Sequence, residues 1–282
     1  MLKLESDRLI LSLHEPGDGF YRCTRFDASG VFDSIRFRGT ELCDRWFRRY
    51  DPFMHDAVCG PAEEFSPFFL DGQILKIGVG ILDPLEGPYD RFRLYPVLQA
   101  GERELDVKDG SVTFRHMLDG YYDYVKSIEV TGPDSFDIRH ELLAQIALRS
   151  EVYNHNFFTL GKLSTGESRS LAFPFRPACT WRAQYDSVML TGGGIQFGRT
   201  LLPGESVYSG DIHEEGREGM PYDFCLCEGG LKVHVKADVH ATHMVFWAND
   251  RIACPEPYNS LVAAPGETLR WTVSYRILDD ES

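Results

Sequence analysis

Apolar and polar residues alternate with period two along most of this chain, the spacing of a strand with one face buried. Residues 9–13, 20–26 and 31–37 carry the first such runs, and Asp27-Ala28-Ser29-Gly30 between the last two predicts a hairpin. Later runs fall at 111–118, 121–131, 135–143, 187–190, 231–239, 244–247 and 269–278. Gly132-Pro133-Asp134, Pro203-Gly204-Glu205 and Pro265-Gly266-Glu267 punctuate them as turns. Helical spacing is weak, and only the short stretches 39–50 and 61–65 offer helix candidates. No heptad, low-complexity linker or repeat of solenoid length interrupts the pattern. Many strands joined by tight turns predict an all-β chain, a large antiparallel sandwich or barrel, with residues 1–282 forming one domain.

Composition narrows the range of partners. Forty-three acidic residues against 29 basic ones give a net charge of −14. A field of that sign repels phosphate backbones and anionic lipid, so neither nucleic acid nor a membrane is an expected partner. No run reaches the ~18 apolar residues of a spanning helix. The first thirteen residues lack the basic-then-apolar plan of a secretory leader, which makes the cytoplasm the expected compartment. The seven cysteines include no Cys-x-x-Cys pair and read as reduced thiols.

Two segments carry candidate chemistry. In Tyr153-Asn154-His155-Asn156-Phe157-Phe158, a strand would place Tyr153, His155 and Phe157 on one face and Asn154, Asn156 and Phe158 on the other. That puts an imidazole between two aromatic rings, a place for a structural histidine or for a proton donor. In Cys254-Pro255-Glu256-Pro257-Tyr258, the prolines cannot donate to a ladder, so the segment is expected to leave regular pairing. Glu256 is then either a solvated loop charge or a rigidly held base.

Taken together, the two segments resemble the aldose 1-epimerase (galactose mutarotase-like) family. Residues 153–160 are similar to that family's Asn-His-Ser/Thr-Tyr-Phe-Asn-Leu motif. Residues 254–258 resemble its late Glu-Pro/Thr-Gln segment, and the run 261–269 leads into a closing strand through Tyr275-Arg276, as in that family. The resemblance implies a β-supersandwich and makes His155 the acid and Glu256 the base of a metal-free, cofactor-free anomer interconversion. The family's Gly-Arg-x-x-Asn-Arg and Leu-His-Gly-Gly segments are missing. After Leu70-Asp71-Gly72-Gln73, similar to its Leu-Asp-Gly turn, Lys76 is the nearest polar residue to the lost second histidine. The expectation is a divergent branch acting on a hexose or related sugar, as a monomer or homodimer. Lys76, Glu63, Glu64, Asn154, Tyr153, Trp247 and Tyr258 are its candidate sugar contacts.

Other arrangements point elsewhere. Lys76 lies in an apolar stretch and needs a partner, with Glu63 or Glu64 the nearest in type. Arg91 and Arg93 with Lys76 would make a cationic patch for an acidic sugar. His234, His240 and His243 do not share a strand face, which speaks against a metal site. Gly192-Gly193-Gly194 lacks the Lys-Ser/Thr of a phosphate loop and reads as a turn. Adjacent Glu63 and Glu64 would point to opposite faces of a strand, unlike a glycosidase pair. A non-catalytic sugar-binding protein or a glycan lyase or hydrolase on the same scaffold are the alternatives.

Overall fold

The computed structural model describes residues 1–280. The expected single domain runs over 1–282, of which 281 and 282 lie outside the described residues. No helix occurs among the described residues, and none is therefore long and apolar enough to cross a membrane. The chain is all-β. A ten-stranded antiparallel sheet runs from the edge strand Glu102–Lys108 through Ser111–Leu118, Tyr122–Gly132, Ser135–Ala144, Thr268–Leu278, Leu231–Ala241 and Met220–Glu228. It continues through Arg169–Ala172 and Gly194–Phe197 to Val188–Thr191. A six-stranded sheet packs on it, in the order Trp181–Ala183, Ser206–Ser209, His243–Asn249, Ala253–Ala263, Leu148–Phe157, Gly60–Phe65.

Strict alternation builds the layer between the sheets. Ser111–Leu118 reads intermediate-buried four times over, and its neighbour Tyr122–Gly132 follows the same rhythm. From the six-stranded sheet Glu63, Phe65, Asn154, Asn156 and Phe158 point inward. Phe65 meets Tyr124 edge-on with centroids 5.3 Å apart, and the Tyr275 hydroxyl donates to Asn156 Oδ1 at 3.0 Å. Lys126 is also buried here, donating to the Glu63 carboxylate and, at 2.8 Å, to the Ser29 carbonyl. The Asp71-Gly72 turn between Phe68–Leu70 and Gln73–Lys76 has positive φ at both residues, +50° and +77°, as a two-residue hairpin requires.

Several expected elements differ. Residues 20–26 form no strand; the 31–37 run, a strand over Phe32–Phe37, pairs instead with Leu9–Leu13, in register from Leu9–Phe37 to Ser12–Ser34 and shifting by one before Leu13–Phe32. The alternation in 20–26 serves a packed loop, which buries Phe20 and Phe26 and sends Arg25 into an ion cluster. The 39–50 segment is irregular apart from Thr40–Glu41, and it begins at Arg38 and Gly39 with positive φ, which a helix cannot continue. The other helix candidate is the edge strand Gly60–Phe65, where Pro61 costs little because an edge has one unpaired side.

The prolines flanking Glu256 also fail to break pairing. Ala253–Ala263 is a continuous inner strand, with Glu256 opposite Val245 of His243–Asn249. Polar backbone groups alternate sides along a strand, and the Pro255 carbonyl faces the other neighbour, accepting from Asn156 Nδ2 at 2.9 Å. Direct pairing with Leu148–Phe157 ends at Tyr153–Tyr258 and resumes only as a bridge at Phe158–Ala253. The missing N–H groups of Pro255 and Pro257 therefore fall in a gap bridged by the Asn156 amide.

Candidate active site

The outer face of the six-stranded sheet assembles the site by the same period of two. Glu64, Tyr153, His155, Phe157, Cys254, Glu256, Tyr258 and Trp247 all project to it, because their strands are in register at Glu64–Tyr153, Tyr153–Tyr258 and Cys254–Trp247. Loops carrying Arg25, Trp46, His55 and Arg91 rise around that face and close a cleft of about 670 Å³. His155, Glu256, Trp247 and Tyr258 line it. Aromatic rings hold the imidazole in place: Phe157 stacks on it at 5.4 Å, Phe26 meets it edge-on at 4.9 Å, and Tyr153 tilts against it at 5.0 Å.

His155 sits between two carboxylates. Its Nδ1 lies 3.1 Å from Glu256 Oε1, out of line for a hydrogen bond, and has no other partner. Its Nε2 lies 3.3 Å from Glu64 Oε2 and 3.3 Å from Arg25 Nη2. Nε2 can donate to the carboxylate when it carries a proton or accept from the guanidinium when it does not. The ring can therefore carry a proton on Nε2 with a partner behind it, while Nδ1, itself buried, stays turned toward Glu256, which lines the cleft.

Glu64 is the centre of charge. Arg25 Nε donates to its Oε2 at 2.6 Å, and on Oε1 it has Arg91 Nε at 3.7 Å and Lys76 Nζ at 3.8 Å. Burial alone would raise this carboxyl; the hydrogen bond from His155 and the charges of Arg25 and Lys76 outweigh it and hold Glu64 well below the usual carboxylate range. Lys76 moves the other way. Burial, joined by Arg25 and Arg91, pulls it down to about 8 against the opposing pull of Glu64. Burial likewise raises Tyr153 and Cys254, so both are protonated at neutral pH. Ligand atoms of His155, Cys254 and Glu256 lie within 4.8 Å of one another; the protonated thiol is a neutral neighbour of the carboxylate in that trio.

The structure divides the expected sugar contacts. Trp247 and Tyr258 line the cleft. Tyr153 is fully buried beneath Tyr258, their rings stacked at 4.0 Å, and its hydroxyl accepts from Arg91. Lys76 and Glu64 stand one layer behind the cleft wall, Lys76 bonded to the Tyr89 hydroxyl at 3.0 Å. Glu63 and Asn154 turn into the sandwich core, 3.4 Å apart, so neither reaches the cleft; the strand period sends them opposite to Glu64 and His155. Arg93 likewise points away, to the Glu86 carbonyl. His234 pairs with Asp223 on the ten-stranded sheet while His243 lines the cleft, so the three late histidines do not converge. Missed from sequence as site residues were Arg25, Trp46 and His55, which come from irregular loops, Arg25 within the run expected as a strand and Trp46 within a helix candidate.

No protein-family model matches the sequence, and no curated protein does. Solved structures do match over nearly the whole chain. The Slr1438 protein from Synechocystis sp. PCC 6803 superposes with a TM-score of 0.60 at 15% identity, over 99% of this chain and 96% of that one. A galactose mutarotase related enzyme from Lactobacillus acidophilus gives 0.57 at 10% identity, over 99% and 98%. The GalM/aldose epimerase homologue from C. elegans gives 0.55 at 13%, again over 99% and 98%. This chain has the galactose mutarotase-like fold. Within that fold its sequence is divergent, at 10–15% identity to these neighbours.

Proposed function

We propose that this mutarotase-like protein is an aldose 1-epimerase, interconverting the α and β anomers of a hexose or related sugar in the cytoplasm. The observation that carries the reading is the His155–Glu256 contact, 3.1 Å across the floor of a cleft walled by Trp247 and Tyr258. The two groups are neighbours, which suits the reaction, since the anomeric hydroxyl and the ring oxygen are both bonded to C1.

Glu256 accepts the proton of the C1 hydroxyl as the C1–O5 bond breaks, and His155 Nδ1 donates its proton to the departing ring oxygen. The product is the open aldehyde, with Glu256 protonated and His155 neutral. Rotation about C1–C2 presents the other carbonyl face. The C5 hydroxyl then attacks C1 and returns its proton to His155, while Glu256 returns its own to the carbonyl oxygen. Atoms and protons balance within the pair, so no metal or nucleotide is called for. Glu64, clamped by Arg25, holds Nε2 from behind and keeps Nδ1 facing the substrate.

The test is polarimetry or proton NMR of freshly dissolved α-anomers across a sugar panel, with and without protein. Acceleration that falls about 10²–10⁴-fold in each of Glu256→Gln and His155→Asn, with folding intact, is the expected result. Saturable sugar binding without acceleration would make the protein a binding module. A new reducing end or an unsaturated product would make it a glycan hydrolase or lyase.

A further inference from the structure

The charges at the floor of the cleft do not cancel. Arg25, Lys76 and Arg91 gather around Glu64, and among the described residues Glu256 is the other carboxylate that His155 touches, so three cations face two anions before His155 takes a proton. The rim behaves differently. There Arg182 lies 3.5 Å from Asp211, which pairs those charges locally, while burial pulls His55 below the ordinary histidine range and leaves Asp56, 3.7 Å away, as an anion of the rim. A positive floor in a chain of net charge −14 is a local construction against the bulk composition. Burying unbalanced cations is costly, and the depressed Lys76 is one expression of that cost.

Position adds to charge. The Arg91 guanidinium lies over the Tyr153 ring at 5.3 Å, and Tyr153 lies against His155 at 5.0 Å. The Arg91 side chain is 38% exposed and lines the cleft, whereas Arg25 is almost buried beside His155 Nε2. The two guanidinium groups thus flank the imidazole end of the His155–Glu256 pair. In a pyranose the ring oxygen joins C1 to C5, so the exocyclic carbon on C5 hangs beside the atom that His155 protonates. Any anionic group on that carbon falls on the arginine side, away from Glu256. Guanidinium forks bind carboxylate and phosphate oxygens in pairs.

We infer that the substrate is an acidic sugar, a hexose whose exocyclic carbon carries a carboxylate or a phosphate received by Arg91 with Arg25 behind it. This rests on the aldose 1-epimerase reading for the position of the ring and on the cleft charges for the acid. The inference names a class the proposed activity leaves open, and it accounts for Arg91, which the proton transfers do not use.

Two measurements test it separately from the activity. Calorimetric binding of methyl α-D-glucopyranosiduronate, which cannot anomerise, is compared with that of the neutral methyl α-D-glucopyranoside. Tighter binding of the uronate by at least tenfold, weakened by salt and by Arg91→Gln and partly regained in Arg91→Lys, is expected. Anomerisation of glucuronate, glucose 6-phosphate and glucose is then followed by NMR. One of the two acids should exceed glucose at least tenfold in kcat/KM, and whichever does identifies the anionic group. Equal turnover of acidic and neutral sugars, with no difference in binding, overturns the inference and leaves the epimerase reading standing. Uronate binding through Arg91 with no anomerisation of any sugar sustains the acidic ligand and sinks the epimerase.

Discussion

Glu64→Gln removes one negative charge at nearly constant shape, and the surroundings of that carboxylate set the size of the effect. Arg25, 7% exposed, loses a 2.6 Å ion pair, and Lys76, with no exposure, loses the only carboxylate within 4 Å of its Nζ. Leaving buried charge uncompensated costs about 3–5 kcal/mol. At about 2 °C per kcal/mol for a chain of this size, thermal unfolding should fall by roughly 6–10 °C at pH 7. Lys76 gives the loss a pH signature. Its ammonium is already drawn down to about 8 with Glu64 present, and removing that anion lowers it further, so in the variant it sheds its proton as the pH is raised and relieves the imbalance. The stability gap between variant and wild type should therefore narrow between pH 7 and 9. The double variant Glu64→Gln/Lys76→Met should recover at least about 1 kcal/mol relative to Glu64→Gln alone, by the same reasoning. Denaturant unfolding of the three proteins at pH 7, 8 and 9 reads all of this. A gap below about 1 kcal/mol at pH 7, or one that ignores pH, would refute the picture of Glu64 as the shared counter-ion.

Further outcomes follow from the same coordinates. Glu256→Gln and His155→Asn act on one proton circuit, so the double variant should lose little more turnover than the worse single one, measured by NMR anomerisation; additive losses would mean separate roles. Asn156→Ala deletes hydrogen bonds to the Pro255 carbonyl, the Asn154 carbonyl and the Tyr275 hydroxyl. It should cost about 2–4 kcal/mol in denaturant unfolding and should slow turnover by loosening the strand under Glu256. Burial pulls His116 down to about 4 and drives His140 well below the ordinary histidine range. Unfolded imidazoles protonate first as the pH falls, so stability should drop progressively from about pH 6.5 toward 4, and His140→Phe should flatten that drop. A wild-type stability that stays level over that range would contradict the burial of both rings.

Much of the fold was legible because one face of each long strand is buried. The 111–118, 135–143 and 269–278 runs fall within a residue of the observed bounds, as strict alternation allows. The same period correctly split Glu63 from Glu64 and Asn154 from His155. What misled was alternation without a partner strand. Residues 20–26 alternate as well as any strand, yet the 31–37 strand pairs with Leu9–Leu13 and leaves them as a loop wall. Prolines misled for the opposite reason. At 255 and 257 they sit where the neighbouring strand has already parted, so a rule that counts lost donors finds none to count. Of the loop residues that line the cleft, His55 had no local signal, while Arg25 sat in the misread 20–26 run and Trp46 in the 39–50 helix candidate.

This division of labour bears on how the cleft tolerates divergence. The proposed acid and base, His155 and Glu256, ride on adjacent strands whose register is pinned from the core side by Asn156, bonded to Pro255 and Tyr275, and by Glu63 with Lys126 beneath the edge strand. A change in those inward residues would slip or tilt the strands and move both proton-transfer groups at once. Trp46, His55 and Arg91 come from loops whose backbone answers to no ladder, so their exchange alters what the cleft holds while leaving the His155–Glu256 contact in place; Arg25, which bonds Glu64 and lies against His155 Nε2, is the exception. Superposition over 99% of the chain at 10–15% identity is what such a scaffold permits: the sheet geometry persists through wide change in sequence. The proton chemistry should therefore withstand grafting of the 83–96 loop from a structural neighbour, and sugar preference should follow the graft. If anomerisation were lost while the fold survived, the loop would belong to the catalytic apparatus and not to recognition alone.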